Sequence, residues 1–143
     1  MKILALDVGK KRIGVATCDK LEIAATPHSV IKSGKNAVDE VLRIINDEDI
    51  EAIVIGLPLS FDGKERESCS MARFFKNSLS EKTDLPIEFF DERLTSKIAE
   101  SFMIESGMRR EDRKKKIDAV AASVILQGYL KHRKNRGISP QIK

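Results

Sequence analysis

The chain has no tryptophan and one tyrosine among its 143 residues. A ligand held mainly by stacking on a row of aromatic side chains is therefore a poor expectation. Cysteine is as scarce. Cys18 and Cys69 stand far apart without the spacing of metal ligands, and nothing in their pattern asks for an oxidising compartment. Uninterrupted apolar runs last only a few residues, against the roughly 20 that a membrane-spanning helix needs. The opening Met1-Lys2-Ile3-Leu4-Ala5-Leu6-Asp7 has neither the apolar stretch nor the cleavage site of a secretion signal. Internal repeats and low-complexity segments are absent too. The expectation is a cytoplasmic protein with free thiols, no membrane contact and one domain large enough for a core of its own.

Charge is present in quantity and unevenly spread. The net charge is +4, yet residues 109–143 hold 11 Lys/Arg against 3 Asp/Glu, so the first 108 residues are net acidic. The basic excess lies in Arg109-Arg110, in Arg113 to Lys116 and in Lys131 to Arg136. Such clusters attract phosphate backbones and gain affinity by counterion release. A solvated helix end with a frayed tail would show the same composition. The first cluster draws interest by its position, just ahead of Asp118.

Hydrophobic periodicity divides the chain into a meander followed by an alternation. Residues 2–7 and 12–18 have the pattern of strands joined by a tight turn at Gly9-Lys10-Lys11. A third strand within 23–31 carries Pro27, which suits a sheet edge. Residues 35–48 space Val38, Val41, Leu42 and Ile45 as a helix, and 52–56 is apolar on both faces as buried parallel strands are. After a loop with a turn at Asp62-Gly63, residues 64–81 predict a helix with Met71, Phe74, Phe75 and Leu79 inward. Residues 87–90 predict the fifth strand. A helix opening at Thr95 and ending at Gly107 follows, then a last helix over 114–134 with Ile117, Val120, Ala121, Val124 and Ile125 inward. The order βββαβαβα points to an α/β fold, a mixed sheet flanked by helices on both faces. Residues 1–136 are expected to form the domain, with 137–143 as a disordered tail.

Three acidic positions fall at the ends of these predicted elements: Asp7, the pair Asp91-Glu92, and Asp118. Carboxylates from separate elements can meet at one edge of a sheet, and two or three together suit Mg²⁺ or Mn²⁺. Gly9 is expected to reverse the chain in a conformation that other residues avoid. Gly14, without a side chain, is expected to leave room for a phosphate or sugar above the hairpin. Asp118 is expected in the first turns of its helix, where the helix dipole favours an anion. Asp91 and Glu92 point to opposite sides of a strand, so one at most faces a shared site, and periodicity leaves open which. Each feature also has a plain structural explanation as a solvated turn, strand end or helix start.

Taken together these segments resemble the YqgF/RuvX family. The resemblance is carried by Asp7-Val8-Gly9 with Arg12-Ile13-Gly14-Val15-Ala16, by Gly56-Leu57-Pro58-Leu59 with Asp62-Gly63, by Asp91-Glu92-Arg93-Leu94-Thr95-Ser96, and by Asp118-Ala119-Val120-Ala121-Ala122. It runs in order over essentially the whole chain. It implies a ribonuclease H-like fold with a central five-stranded mixed sheet. It also implies a metal-dependent nuclease that processes the 5′ end of precursor 16S rRNA in ribosome biogenesis. Two alternatives travel with it: a Holliday junction resolvase-like DNA endonuclease, and a non-cleaving nucleic-acid-binding factor.

By the same resemblance the catalytic carboxylates are Asp7, Glu92 and Asp118, with Asp91 as the fallback for the middle position. They would hold Mg²⁺ or Mn²⁺ in a two-metal arrangement. Lys10, Lys11 and Arg12 on the hairpin would take substrate phosphates, with Arg93, Arg109, Arg110, Lys114, Lys115 and Lys116. These contacts position a strand without reading its sequence. A structured RNA precursor is the favoured partner and branched DNA the alternative, bound by a monomer or homodimer.

Overall fold

The computed structural model describes residues 1–57, 67–91 and 110–135. Five strands form one sheet: β1 (Ile3–Val8), β2 (Arg12–Cys18), β3 (Ala25–Lys32), β4 (Ala52–Leu57) and β5 (Ile87–Asp91). Their order is β3-β2-β1-β4-β5. The first three pair antiparallel as a meander, and β4 and β5 add parallel to β1. Helices α1 (Ala37–Asp47) and α2 (Glu67–Ser80) pack on one face, and α3 (Arg110–Asn135) crosses the other. Among the described residues no helix is long and apolar enough to cross a membrane.

Side-chain alternation splits the core in two. Leu4, Leu6, Ile13, Val15, Ile53, Ile55 and Leu57 face α1 and α2 in the larger cluster. Ile3, Ala5, Ala16, Cys18, Ala52 and Val54 face α3, where Ala122, Leu126, Tyr129 and Leu130 cover them. Each large aliphatic side chain fully buried here contributes about 1.5–3 kcal/mol. β4 is buried along its whole length, as its continuous apolar run predicts.

Pro27 lies on the edge strand, where its missing N–H breaks no ladder. The β2–β3 register shifts between Val15 and Ala16: Val15 faces Ser29 and Ala16 faces Pro27, so His28 is the extra residue of a bulge. His28 bonds Ser29 and Glu48.

Three expectations change. Phe74 is 74% exposed, and the inward stripe of α2 is Cys69, Ala72, Phe75 and Leu79. Those positions recur at three- and four-residue steps, and Phe74 falls well off that line. In the last helix Ala121 and Ile125 are buried as expected, together with Ala122, Leu126, Tyr129 and Leu130, while Val120 and Val124 are only half-buried. That helix also starts at Arg110, four residues earlier than expected. The run of charged residues has helical backbone despite its lack of apolar periodicity. The loop at Asp62-Gly63 and the helix expected after Thr95 lie outside the described residues, as does the tail at 137–143.

Candidate nuclease site

β1, β4 and β5 run parallel, so Asp7, Leu57 and Asp91 all come at the carboxyl edge of the sheet. Alternation then decides which face each side chain takes. Asp7 continues the series Ile3, Ala5 and belongs to the α3 face. Its partner across the β1–β2 ladder is Gly14, so both residues point to the same side.

Gly14 brings Asp118 to that place. A Cβ built on Gly14 would lie 1.9 Å from the Asp118 carbonyl oxygen and 2.9 Å from the Ala119 nitrogen. The backbone of α3 thus rests directly on the strand at this point, beside Asp7. The space that the sequence left for a phosphate or sugar is filled by the protein's own helix. Gly9 has an ordinary backbone conformation and is needed for room instead. Its N–H donates to the Arg12 carbonyl at 2.9 Å, and a Cβ would approach that oxygen as closely.

The charge environment of Asp118 also differs from expectation. Asp118 is the ninth residue of α3, two turns inside, where the dipole of the helix end has faded. Its charge partner is Arg12, the first residue of β2, whose Nε donates to Asp118 Oδ2 at 2.8 Å. Arg12, expected on substrate phosphate, lies in the structure on a carboxylate. Lys10 and Lys11, in the turn just before it, are exposed, and Lys32 faces Arg12 from β3. Ser33 fastens the turn: its hydroxyl donates to the Gly9 carbonyl and its N–H to that of Lys11.

The far end of α3 is anchored by polar contacts. Arg133 Nε donates to Glu22 Oε1 at 2.8 Å, the Tyr129 hydroxyl to Glu88 on β5, and the Ala25 N–H to Gln127 Oε1. Phe90 packs edge-on against Tyr129 and close to Gly128, where a Cβ would meet its ring at 3.2 Å. Burial pushes the Tyr129 phenol above its ordinary pKa, and its bond to the Glu88 carboxylate adds to this. These contacts hold the helix along the sheet and so set where Asp118 falls.

Asp91 goes to the other side. It stands opposite Leu57 in the β4–β5 ladder and shares the alternation of Ile87 and Phe89, which belong to the α1/α2 face. The described geometry therefore separates Asp91 from Asp7 and Asp118. Glu92, Arg93 and Arg109 lie outside the described residues. Arg110, Lys114, Lys115 and Lys116 occupy the opening turns of α3, ahead of Asp118 along the same helix. Among the described residues no three His, Cys, Asp or Glu side chains gather closely enough to hold a metal ion. Asp7 and Asp118 are the described members of the carboxylate set.

A groove of about 820 Å³ lies on the opposite face, between the β1–β2 turn, the start of α1 and α2, with Phe74 on its wall. Neither Asp7 nor Asp118 lines it. No sequence signal marked it, because its walls come from three separate elements.

Known proteins share both this architecture and this sequence. The fold matches that of Thermus thermophilus RuvC bound to a Holliday junction, with a TM-score of 0.60 at 15% identity over 99% of each chain. The fowlpox virus resolvase in complex with Holliday junction DNA gives a TM-score of 0.57 at 17% identity, over 92% of this chain and 98% of that one. At such identities the likeness establishes the ribonuclease H-like fold. Sequence relatives are nearer. A protein of Ruegeria sp. strain TM1040 is 45% identical over 130 residues, covering 90% of this chain and 83% of its own length. One from Maridesulfovibrio salexigens is 42% identical over 132 residues, covering 91% and 98%. Both are named as candidate nucleases of pre-16S rRNA. The model of the RuvX family, described as Holliday junction resolvase, matches residues 1–132. With that span matched and the relatives this near, the chain belongs to the RuvX family of nucleases.

Proposed function

We propose that this protein is a divalent-metal-dependent nuclease that hydrolyses phosphodiester bonds at the 5′ end of precursor 16S rRNA. The observation that carries the reading is that the backbone of Asp118 rests on Gly14, the residue opposite Asp7 in the β1–β2 ladder, on one face of the sheet. The names of the relatives supply the substrate. The placement of Asp91 on the α1/α2 face argues against it as the third ligand and supports Glu92.

The donors present suit a hard cation. Asp7, Asp118 and Glu92 offer oxygen alone, the chemistry that Mg²⁺ and Mn²⁺ prefer. Asp118 already accepts a cationic donor, the Arg12 guanidinium, so its carboxylate is turned toward positive charge. Bound among these carboxylates, such an ion supplies Lewis-acid polarisation of the phosphate and a more acidic water. The remaining work belongs to the chain. Lys10 and Lys11 on the hairpin turn hold substrate phosphates, and the basic opening of α3 extends that track with Arg110, Lys114, Lys115 and Lys116. The rigid β1–β2 pairing fixes Asp7 relative to this track, so the scissile phosphate is oriented before reaction.

The test is to incubate purified protein with a 16S rRNA precursor and, separately, a four-way DNA junction, in Mn²⁺, Mg²⁺ or chelator. Metal-dependent cleavage of the RNA with the junction left intact is the expected result. Cleavage of the junction alone would assign the DNA resolvase activity that the family description names. Tight binding without cleavage of either would replace the enzyme with a binding factor of the same fold.

A further inference from the structure

Arg12 shares the hairpin with Lys10 and Lys11, yet its guanidinium is engaged by Asp118. The pair is not sealed: the Arg12 side chain is 48% exposed and that of Asp118 25%. An ion pair so open to water has a small net worth, so giving it up costs little. A guanidinium on a long stem also matches a phosphate as well as it matches a carboxylate. Asp118 is at the same time one of the carboxylates assigned above to a divalent ion. Two cations then compete for one carboxylate, and Arg12, next to Lys10 and Lys11 on the hairpin, can turn to a substrate phosphate instead.

We propose that Arg12 is a place-holding cation that exchanges between Asp118 and substrate. Without a divalent ion it neutralises Asp118 and holds that side chain at the site. When the ion takes the carboxylate, the guanidinium turns to a phosphate of the bound strand. This inference rests on the metal-site reading above. It makes a demand that the reading does not: metal and nucleic acid must each tighten the binding of the other by the same factor, with Arg12 as the coupling.

The test measures Mn²⁺ affinity from the EPR signal of free Mn²⁺, with and without a saturating phosphorothioate RNA oligonucleotide that keeps its charge and resists hydrolysis. Mn²⁺ bound by the RNA alone is subtracted. Removing the competitor in Arg12→Gln should tighten Mn²⁺ binding to the RNA-free protein by about fivefold, the upper end of what an exposed ion pair is worth and the lower end of measured couplings between sites. The oligonucleotide should tighten Mn²⁺ binding to the wild type by a similar factor, and to Arg12→Gln by less than about twofold. Arg12→Lys keeps a competing cation and should stay near the wild type. Lys32→Gln removes the same charge from the position paired with Arg12 on β3, and should also stay near the wild type.

Wild-type Mn²⁺ affinity in an Arg12→Gln protein with an unchanged melting curve would overturn the exchange alone. So would equal tightening by Lys32→Gln, which would make the effect one of bulk charge. Mn²⁺ that fails to bind the wild type, or binds Asp118→Asn equally well, would overturn the metal site and the exchange with it.

Discussion

The Asp118 carbonyl of α3 lies against the α-carbon of Gly14 on β2, so close that a side-chain carbon at Gly14 would stand 1.9 Å from that oxygen. Because Gly14 faces Asp7 across the β1–β2 ladder, this one contact decides that two acidic residues more than a hundred positions apart share a face. The most direct perturbation of the site is therefore a methyl group on a glycine that carries no chemistry.

Gly14→Ala should push α3 off the sheet. The contact is backbone against backbone, so no flexible side chain can give way. A loss of about 1–3 kcal/mol is the usual cost of such overpacking. Thermal unfolding should register it as a lower midpoint, and cleavage should fall further than stability because Asp118 moves with the helix. Full activity in a folded Gly14→Ala protein would remove the packing contact from any part in the site.

Asp7→Asn and Asp118→Asn keep shape and remove charge. Each should lower RNA cleavage by about two orders of magnitude or more, the scale seen when one electrostatic stabiliser of a transition state is removed. The melting temperature should change little, since Asp7 and Asp118 lie outside both core clusters. Cleavage that survives both substitutions would place the chemistry elsewhere.

The middle carboxylate is settled by a paired comparison. Asp91 shares a face with Phe89, beneath α2, where Arg73 and Lys76 lie over the Phe89 ring. Glu92→Gln should abolish metal-dependent cleavage, and Asp91→Asn should leave most of it. The reverse pattern would restore Asp91 as the ligand.

Phosphate binding by the hairpin should show in the salt dependence of affinity. The slope of log affinity against log salt should fall by roughly 0.7–0.9 for each phosphate that the protein no longer neutralises. Lys10→Gln and Lys11→Gln, measured by fluorescence anisotropy on a precursor RNA fragment from low to physiological salt, should each reduce the slope by about that amount. An unchanged slope would take the hairpin out of the binding track.

Tyr129 ties the last helix to β5 through Glu88. Tyr129→Phe should cost about 0.5–1.5 kcal/mol for the bond. The phenol's pKa is raised in the folded protein, by burial first and by its bond to Glu88 second. The stability it adds is therefore complete below the ordinary phenol range and is lost as pH rises through the raised value. Alkaline unfolding of Tyr129→Phe should lack that component, which urea titrations at pH 8 and above would reveal.

Much of this was legible in the chain itself. All five strands fall where the short apolar runs place them, and Pro27 marks the edge strand, because strand parity and a missing donor are local properties. The acidic residues and the basic run before Asp118 could be picked out for the same reason. What local pattern could not supply was direction. Phe74 looked inward because helical spacing defines a stripe only once its centre is known, and that centre is set by β1 and β4 beneath α2. Asp118 looked like a helix start because charged residues hide a helix from hydrophobic periodicity.

The residue types of the candidate site were thus decided by sequence: oxygen donors, with cations alongside. Their assembly was decided only by tertiary structure. Register turns Asp7 toward α3 and Asp91 away from it, the bare α-carbon of Gly14 admits the helix, and Arg12 reaches Asp118 across 106 residues of chain. Those relationships depend on which strands become neighbours and how closely two backbones can approach. No single segment contains that information.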